Sequence, residues 1–357
     1  MRLTECDPRI RQLRALYHSR GSSAIILTRP ANLSWLLGGR MQIGIAGNGA
    51  VCTAVVNDVE TVLITTNIEA ARLRDEEVGS VPRILSLPWA DGAAAAEATA
   101  QLAGSAPLRE ADCANELQEL RTCLQPRQEQ DAAQVAALCS LAMEQAVQRI
   151  HPGMTEWEAS GILSERAVAN GLIPNVLFTP ADAHIARYRH ALSNPTPLEK
   201  IMMLSLGAQK NGIYASITRF ISFGQPDDAF LAAQEKTCRI AAMLYTETRP
   251  GKQYGELFEQ LRQRYAEVDA AGEIALHHQG GLGGFQTREN RLTSSLPGEV
   301  KAHQLYAWNP SVTGFKSEDM LLVGEDENRI LTHTDLFPHK TFSYNDQAWT
   351  MPQVLIL

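Results

Sequence analysis

Residues 277–290 read HHQGGLGGFQTREN, with adjacent His277 and His278, four glycines, and then Arg288 and Glu289. Imidazole and carboxylate side chains can transfer protons or bind metals, and glycines permit tight turns and close approach of the backbone. The stretch lacks the Gly-Lys-Ser/Thr of a phosphate loop and does not open from a clear βα unit. It therefore predicts a proton-transfer site, a metal site or a tight turn, and not a nucleotide site.

Other polar side chains could share a cleft with this loop. They are His190 in RYRHALSNP, Ser205, Ser216, Asn309, and Lys316, Glu318 and Asp319 in FKSEDM. Each also has an ordinary structural interpretation: a loop histidine is commonly hydrogen-bonded, and the serines fall in strand patterns. No G-x-S-x-G elbow occurs and no serine adjoins a base, so the sequence does not favour a serine nucleophile.

The elements that must position these residues form two blocks. In the first, residues 8–21 have helical spacing with Ile10, Leu13 and Leu16 on one face. Strands are predicted at 23–28, 51–57, 60–66 and 83–89, with a helix at 67–78. Strands that alternate with helices indicate an α/β domain.

Pro126 marks the start of the second block. A long amphipathic helix follows it, with one face formed by Val135, Leu138, Ala142, Ala146 and Ile150. The order helix, Pro-Gly, helix occurs twice, with the Pro-Gly pairs at 152 and 250, and strand-like segments follow each copy. Thr155 and Glu158 form a predicted capping box in the first copy. The repetition indicates a duplicated domain with a cleft between equivalent hairpins.

Four segments carry a resemblance to a known family: HPGMTEWE, GAQKNGIYASITRFISFG, HHQGGLGG and NPSVTGFKSEDMLLV. With them, residues 127–335 resemble the catalytic domain of the creatinase, prolidase and aminopeptidase P superfamily. The N-terminal part resembles the smaller α/β domain of creatinase and prolidase. The resemblance implies an α+β chain, with a creatinase-type domain at 1–125 and a duplicated pita-bread domain at 126–357.

The family's metal ligands are mostly replaced in this chain. Its metalloenzymes bind two divalent metals through two Asp, one His and two Glu. By resemblance, the matching positions hold Ser205, Ser216, Gly281, Asn309 and Glu318, so only the last carboxylate remains. Hard divalent cations require several carboxylate ligands. We therefore expect no catalytic metal and no other cofactor.

A second set of family positions keeps ionisable groups. His190 lies where the family places a proton-shuttling histidine, and His277 matches a histidine of the loop. Lys316 stands where an arginine often accompanies the last glutamate, and Arg288 where another histidine is usual. Creatinase uses this fold without a metal, and ectoine hydrolase looks like a similar relative. A histidine near its ordinary pKa of about 6.5 can move a proton in either direction at neutral pH.

Three hypotheses follow. The first is a metal-independent hydrolase that cleaves a C–N bond of a small nitrogen compound, with His190, Glu318 and His277 as catalytic residues. Its expected substrate-binding residues are His278, Arg288, Glu289, Ser205, Ser216, Asn309 and Lys316. The second is a catalytically silent relative that binds a small molecule or a partner. The third is a metal-dependent Xaa-Pro peptidase, which the fold alone would suggest.

The composition and charge of the chain exclude some classes of binding partner. The chain of 357 residues has a net charge of −8 and no cluster of Lys and Arg, which disfavours nucleic-acid binding. Its six cysteines form no C-x-x-C pair, which is typical of reduced thiols in a cytosol. The N-terminus lacks the apolar segment of a signal peptide, and no apolar run could span a bilayer. We expect a cytoplasmic protein without a membrane partner, and the resemblance implies a homodimer.

Overall fold

The structure is a computed structural model that describes residues 6–45, 49–78 and 83–357. The chain divides into two compact units. The first comprises Met1–Arg121 with residues 211–213, and the second comprises Thr122–Lys210 and Tyr214–Leu357. The predicted absence of a signal peptide rests partly on residues 1–5, which lie outside the described residues. Among the helices of the described ranges, none has both the length and the apolar composition needed to cross a membrane.

The first unit is built on a mixed five-stranded sheet. Its strands are β1 (Ala24–Leu27), β2 (Cys52–Asn57), β3 (Thr61–Thr66), β4 (Arg83–Leu87) and β5 (Leu108–Arg109). The sheet order is β4-β3-β2-β1-β5, antiparallel within β1-β2-β3 and parallel at the two outer pairings. Its helices are α1 (Pro8–Ser19), α2 (Pro30–Leu37), α3 (Ala70–Arg72, continued by a π-helical segment Leu73–Val78), α4 (Ala94–Ala103) and α5 (Ala114–Thr122).

The predicted face of α1 needs one correction. Ile10 and Leu13 are buried, but the third fully buried side chain is Tyr17, and Leu16 is only partly covered. Tyr17 follows Leu13 by four residues and so continues the same stripe, and its hydroxyl donates a hydrogen bond to Asp58 at 2.7 Å. The aromatic ring therefore takes the core position that the spacing predicted for the leucine.

The helices of the second unit confirm the repeated pattern. They are α6 (Pro126–Val147), α7 (Glu156–Ala169), α8 (Ala183–Arg187), α9 (Asp228–Glu247) and α10 (Tyr254–Glu267). Gly153 and Gly251 separate α6 from α7 and α9 from α10, both with left-handed φ of 86° and 84°. The Thr155 side chain accepts from the Glu158 amide, and the Glu158 carboxylate accepts from the Thr155 amide, which confirms the capping box.

The strands of the second unit carry some of the site residues, among them Ser205, Ser216 and Lys316. They are β6 (Ile173–Phe178), β7 (Ile201–Lys210), β8 (Ile213–Ser222), β9 (Gly280–Leu282), β10 (Leu305–Trp308), β11 (Ser311–Val312), β12 (Phe315–Lys316), β13 (Asp319–Leu322), β14 (Arg329–Ile330), β15 (His339–Tyr344), β16 (Gln347–Pro352) and β17 (Leu355–Ile356). Two four-stranded sheets have the orders β17-β8-β7-β6 and β14-β13-β10-β9. A bridge between Thr218 and Glu318 joins them. This is the α+β pita-bread arrangement that the resemblance implied.

Candidate functional site

A cavity of about 220 Å³ lies in the second unit beside the two sheets. Its lining includes eight of the residues that the sequence singled out: His190, Ser205, Ser216, His278, Arg288, Asn309, Lys316 and Glu318. Phe178 adds an apolar wall and stacks on the His190 ring, with 5.6 Å between ring centroids. Residues from four separate sequence segments therefore meet in one small cavity.

Glu318 is the centre of the polar network. Its Oε2 accepts from Lys316 Nζ at 2.9 Å, from Thr218 Oγ1 at 2.7 Å and from Ser205 Oγ at 3.2 Å. Its Oε1 accepts from Arg288 Nη2 at 3.2 Å. Burial favours the neutral acid, but the two cations and the hydrogen bonds outweigh burial and hold the pKa of Glu318 well below its usual range. Glu318 is thus a permanent carboxylate at neutral pH.

Lys316 lies between two positions that resemble family metal-ligand positions. Its Nζ donates to Ser205 Oγ and to Glu318 Oε2, both at 2.9 Å. The side chain is nearly buried, with 8% of its surface exposed. The ammonium group of Lys316 therefore pairs with Glu318, the one carboxylate among the positions matched to the family's metal ligands.

Three histidines lie next to one another at the cavity, and two of them, His190 and His278, line it. His190 Nε2 and His277 Nε2 are 3.2 Å apart, so one of them carries the hydrogen that they share. His277 Nδ1 lies 3.1 Å from Ser311 Oγ, and the His278 ring packs 4.6 Å from the His277 ring. Ser311, His277 and His190 thus form a hydrogen-bonded chain that ends at the cavity and can relay a proton.

Burial and nearby positive charge keep the imidazoles neutral. Desolvation, followed by the charge of Lys316, lowers the pKa of His277 to about 3. Desolvation, followed by Arg288 and Arg291, lowers the pKa of His278 to about 4. The same two effects, burial and Lys316, lower the pKa of His190 below its ordinary value. A neutral imidazole can accept a proton, which is what a general base requires.

The two lowered values predict acid sensitivity. The folded-state pKa values of His277 and His278 lie below the ordinary 6.5, so the unfolded chain binds protons first as the pH falls. Stability should therefore decrease as the pH drops from about 6.5 towards about 4. Urea unfolding over this range measures the loss, which the double variant His277→Gln/His278→Gln should reduce. The exposed-histidine control His339→Gln should leave it unchanged, and equal acid losses in all three proteins would contradict the assignment.

A buried carboxylate anchors the segment that carries His190. Glu156, at the start of α7, is fully buried and accepts from the amides of Ala181 at 2.8 Å and Asn194 at 3.0 Å. It also bonds His184 Nδ1 at 2.8 Å. Residues 181–194 are therefore held near both ends by one side chain, and His190 lies between the two anchored amides.

The glycine loop packs too closely for a side chain at 281. Gly281 has φ of 155° and pairs with Ala307 of β10, and a Cβ atom there would overlap the Asn290 carbonyl oxygen. Gly281→His, which restores the residue that the resemblance expects, should therefore destabilise the protein by about 1–3 kcal/mol. Chemical denaturation measures this change. Gly283→Ala is the matched control, because a Cβ at Gly283 meets its nearest neighbour at an ordinary 3.6 Å; equal costs for both variants would contradict the steric argument.

The residues of the cavity do not fit a pair of divalent metals. Ser205, Ser216 and Asn309 are uncharged, and the Glu318 carboxylate already accepts from four donors, two of them cationic. A hard cation would have to displace Lys316 and Arg288 from Glu318 and would face their repulsion. His190, His277 and His278 do bring ligand atoms within 4.8 Å of one another, but the charge of Lys316 disfavours a cation there as well.

Not every candidate from the sequence reaches the cavity. His277 lies behind His190, and Glu289 accepts from Gln286 at 3.0 Å outside the lining. Asp319 forms a buried ion pair with Arg219 at 2.9 Å.

Sequence reasoning missed four residues that the structure places at the cavity, in its hydrogen-bond networks or beneath the His190 segment. Arg291 lines the cavity, Thr218 and Ser311 complete the hydrogen-bond networks, and Glu156 anchors the His190 segment. Arg291 follows Arg288 by three residues, so a count of cations near the loop would have found it. The other three show no distinctive local pattern.

Comparison with known proteins agrees with this architecture. Residues 130–325 match the model of metallopeptidase family M24, and residues 9–120 match the creatinase/prolidase N-terminal domain. A comparison with curated proteins finds no matching sequence.

Solved structures share the fold at low identity. A prolidase from Pyrococcus horikoshii OT3 aligns with a TM-score of 0.75 and 14% identity, over 92% of this chain and 99% of its own. An X-Pro aminopeptidase from Thermotoga maritima MSB8 gives 0.76 and 14%, over 98% and 100%. The N-terminal domain of the FACT complex subunit SPT16 from Cicer arietinum gives 0.66 and 14%, over 91% and 95%. With more than half of its length matched by one family model, the chain belongs to metallopeptidase family M24, a hydrolase family, and carries a creatinase/prolidase N-terminal domain.

Proposed function

We propose that the protein is a hydrolase that cleaves a C–N bond of a small nitrogen compound without a metal, with His190 as general acid/base. The observation that carries the proposal is the hydrogen-bonded chain of Ser311, His277 and His190 that ends at a cavity lined by Lys316 and Glu318. The chemistry needs one proton acceptor that later becomes a donor, and a neutral histidine with a proton relay behind it can serve as both.

In the proposed reaction, His190 accepts one proton and later donates it. His190 takes a proton from water as the water oxygen bonds to the substrate carbon. It then returns that proton to the nitrogen as the C–N bond breaks. Ser205, Ser216 and Asn309 offer neutral donors and acceptors that orient the substrate. Glu318, with its pKa held far below neutrality, keeps Lys316 and Arg288 in place and is unsuited to accept the proton itself.

The experiment is a turnover screen with the full chain. Creatine-like, cyclic-amidine and Xaa-Pro compounds are tested in chelator-treated buffer. His190→Ala should lower kcat/KM on the active compound by about 10²–10⁴-fold with unfolding unchanged, since this is the usual contribution of a general acid/base. His339→Ala, at an exposed histidine of the same unit, should match wild type. Full activity in His190→Ala would rule out the assignment.

Binding without turnover is the second candidate. It is favoured by the hydrogen bonds of Glu318, because the two carboxylate oxygens already accept from four donors. Among the described residues that line the cavity, no other carboxylate is free to take part in catalysis. The same screen separates the two, because compounds that bind without being cleaved would select it.

A metal-dependent Xaa-Pro peptidase is the activity that the names of the similar structures favour. Two bound equivalents of manganese, zinc or cobalt, together with Xaa-Pro cleavage that a chelator abolishes, would select it over both other candidates. We also propose a homodimer in solution, which light scattering on the purified chain checks.

A further inference from the structure

The charges that line the cavity are strongly unequal. Lys316, Arg288 and Arg291 contribute three cations, and Glu318 is the one carboxylate among the lining residues of the described chain. The neighbouring histidines are neutral at pH 7, because burial and these same cations lower their pKa values. The cavity therefore carries an excess of positive charge although the whole chain is acidic, with a net charge of −8.

The cations also have hydrogen-bond donors to spare. Lys316 Nζ uses two of its three donors, on Ser205 and Glu318. Arg288 bonds Thr287, Asn309 and Glu318 through its terminal nitrogens, but its Nε has no acceptor among the described residues.

Arg291 is the least engaged of the three cations. Its side chain lines the cavity, and its guanidinium forms no ion pair or hydrogen bond with another residue in the described ranges. It is nevertheless close enough to depress the pKa of His190, His278 and Arg288 by its charge. An exposed arginine that repels its cationic neighbours would gain from an anion placed between them.

Glu318 cannot supply that anion for all three. One carboxylate bridges Lys316 and Arg288, which leaves the site with two more positive than negative groups. In a narrow cleft such a surplus is poorly screened and raises the local concentration of anions. Guanidinium groups match the planar geometry of oxyanions and bind them with paired hydrogen bonds.

We propose that the cavity binds an oxyanion, the carboxylate or phosphate group of a small molecule, between Lys316, Arg288 and Arg291. As the substrate class of the hydrolase, the oxyanion rests on the proposed function. Its binding alone requires no turnover. The space of about 220 Å³ limits the ligand to a small molecule. Such an anion would share the cavity with Ser205, Asn309 and Glu318, three of the positions that the resemblance matches to metal ligands.

A cation bound by His190, His277 and His278 is the opposing possibility. Their ligand atoms lie within 4.8 Å of one another, and neutral imidazoles are suitable ligands for transition metals. A divalent ion there would add two positive charges beside histidines whose pKa values are already lowered by the positive charges of Lys316, Arg288 and Arg291. The charge balance favours the anion.

The test is calorimetric titration of the full chain with succinate and, separately, with inorganic phosphate at low ionic strength. We expect at least one of them to bind, with an affinity that decreases as salt is added. Arg291→Gln should weaken binding about tenfold, the usual effect of losing a charged hydrogen bond. Lys316→Met should weaken it at least as much, and Arg262→Gln, which removes an exposed arginine from α10, should not change it.

The possible results distinguish the oxyanion site from the proposed hydrolase activity. Preference for succinate or for phosphate identifies the oxyanion. Failure of both to bind, equal affinity in Arg291→Gln and wild type, or zinc binding that His278→Ala abolishes would each overturn the inference. Anion binding in a protein that hydrolyses no compound would overturn only the proposed hydrolase. Hydrolysis of an uncharged compound that neither anion inhibits would overturn only the oxyanion site.

Discussion

Glu318→Ala should lower the free energy of unfolding by about 3–5 kcal/mol, the cost of leaving buried charges without their partner. Both of its cationic partners are nearly buried, with 8% of the Lys316 side chain and 9% of the Arg288 side chain exposed. Without the carboxylate they would repel each other in a poorly hydrated site. Urea denaturation at neutral pH measures the difference.

Glu259→Ala is the matched control. Glu259 pairs with Arg262 on the exposed surface of α10, so its removal should lower the free energy of unfolding far less than the removal of Glu318 does. The double variant Lys316→Met/Glu318→Leu completes the comparison and should recover part of the loss, because it removes one buried cation together with the carboxylate. A Glu318→Ala protein as stable as Glu259→Ala would show that the buried ion pairs do not form.

Glu156→Ala should cost about 2–5 kcal/mol, because it leaves the buried amide of Ala181 and the partly buried amide of Asn194 without an acceptor. It should also release the segment that holds His190. The expected result is faster amide hydrogen exchange at Ala181 and Asn194, accompanied by lower stability. Glu156→Gln keeps one carbonyl oxygen and should fall between alanine and wild type.

Glu158→Ala provides the comparison from the same helix end. Glu158 is exposed and caps α7 through the Thr155 amide, so its loss should destabilise the protein less than the loss of Glu156 and leave exchange at Ala181 and Asn194 unchanged. Unchanged protection of those two amides in Glu156→Ala would contradict the anchoring role.

The sequence predicted the fold better than the site because the fold leaves periodic local patterns. The Pro-Gly pairs at 152 and 250 and the Thr155 capping box lie within a few residues of the helices they delimit, and the structure confirms both. Tyr17 shows the limit, since helical spacing alone does not decide which of two neighbouring apolar side chains fills the core.

The site depends on contacts between distant segments. Lys316 and Glu318 are two residues apart, so a shared strand face could be expected for them. Arg288 reaches Glu318 across 30 residues, and Ser205 reaches it across 113. Glu156 looks like an ordinary acidic residue in the first turn of a helix, and only the fold shows that its carboxylate is buried against two amides 25 and 38 residues away.

The position of Lys316 between Ser205 and Glu318 has a consequence for how the site responds to its surroundings. A metal ion occupies its site by mass action, so its presence depends on the free metal concentration and on competing chelators. The ammonium of Lys316 is covalently part of the chain and cannot dissociate. The group that pairs with Glu318 is therefore in place as soon as the protein folds, whatever the concentration of free metal.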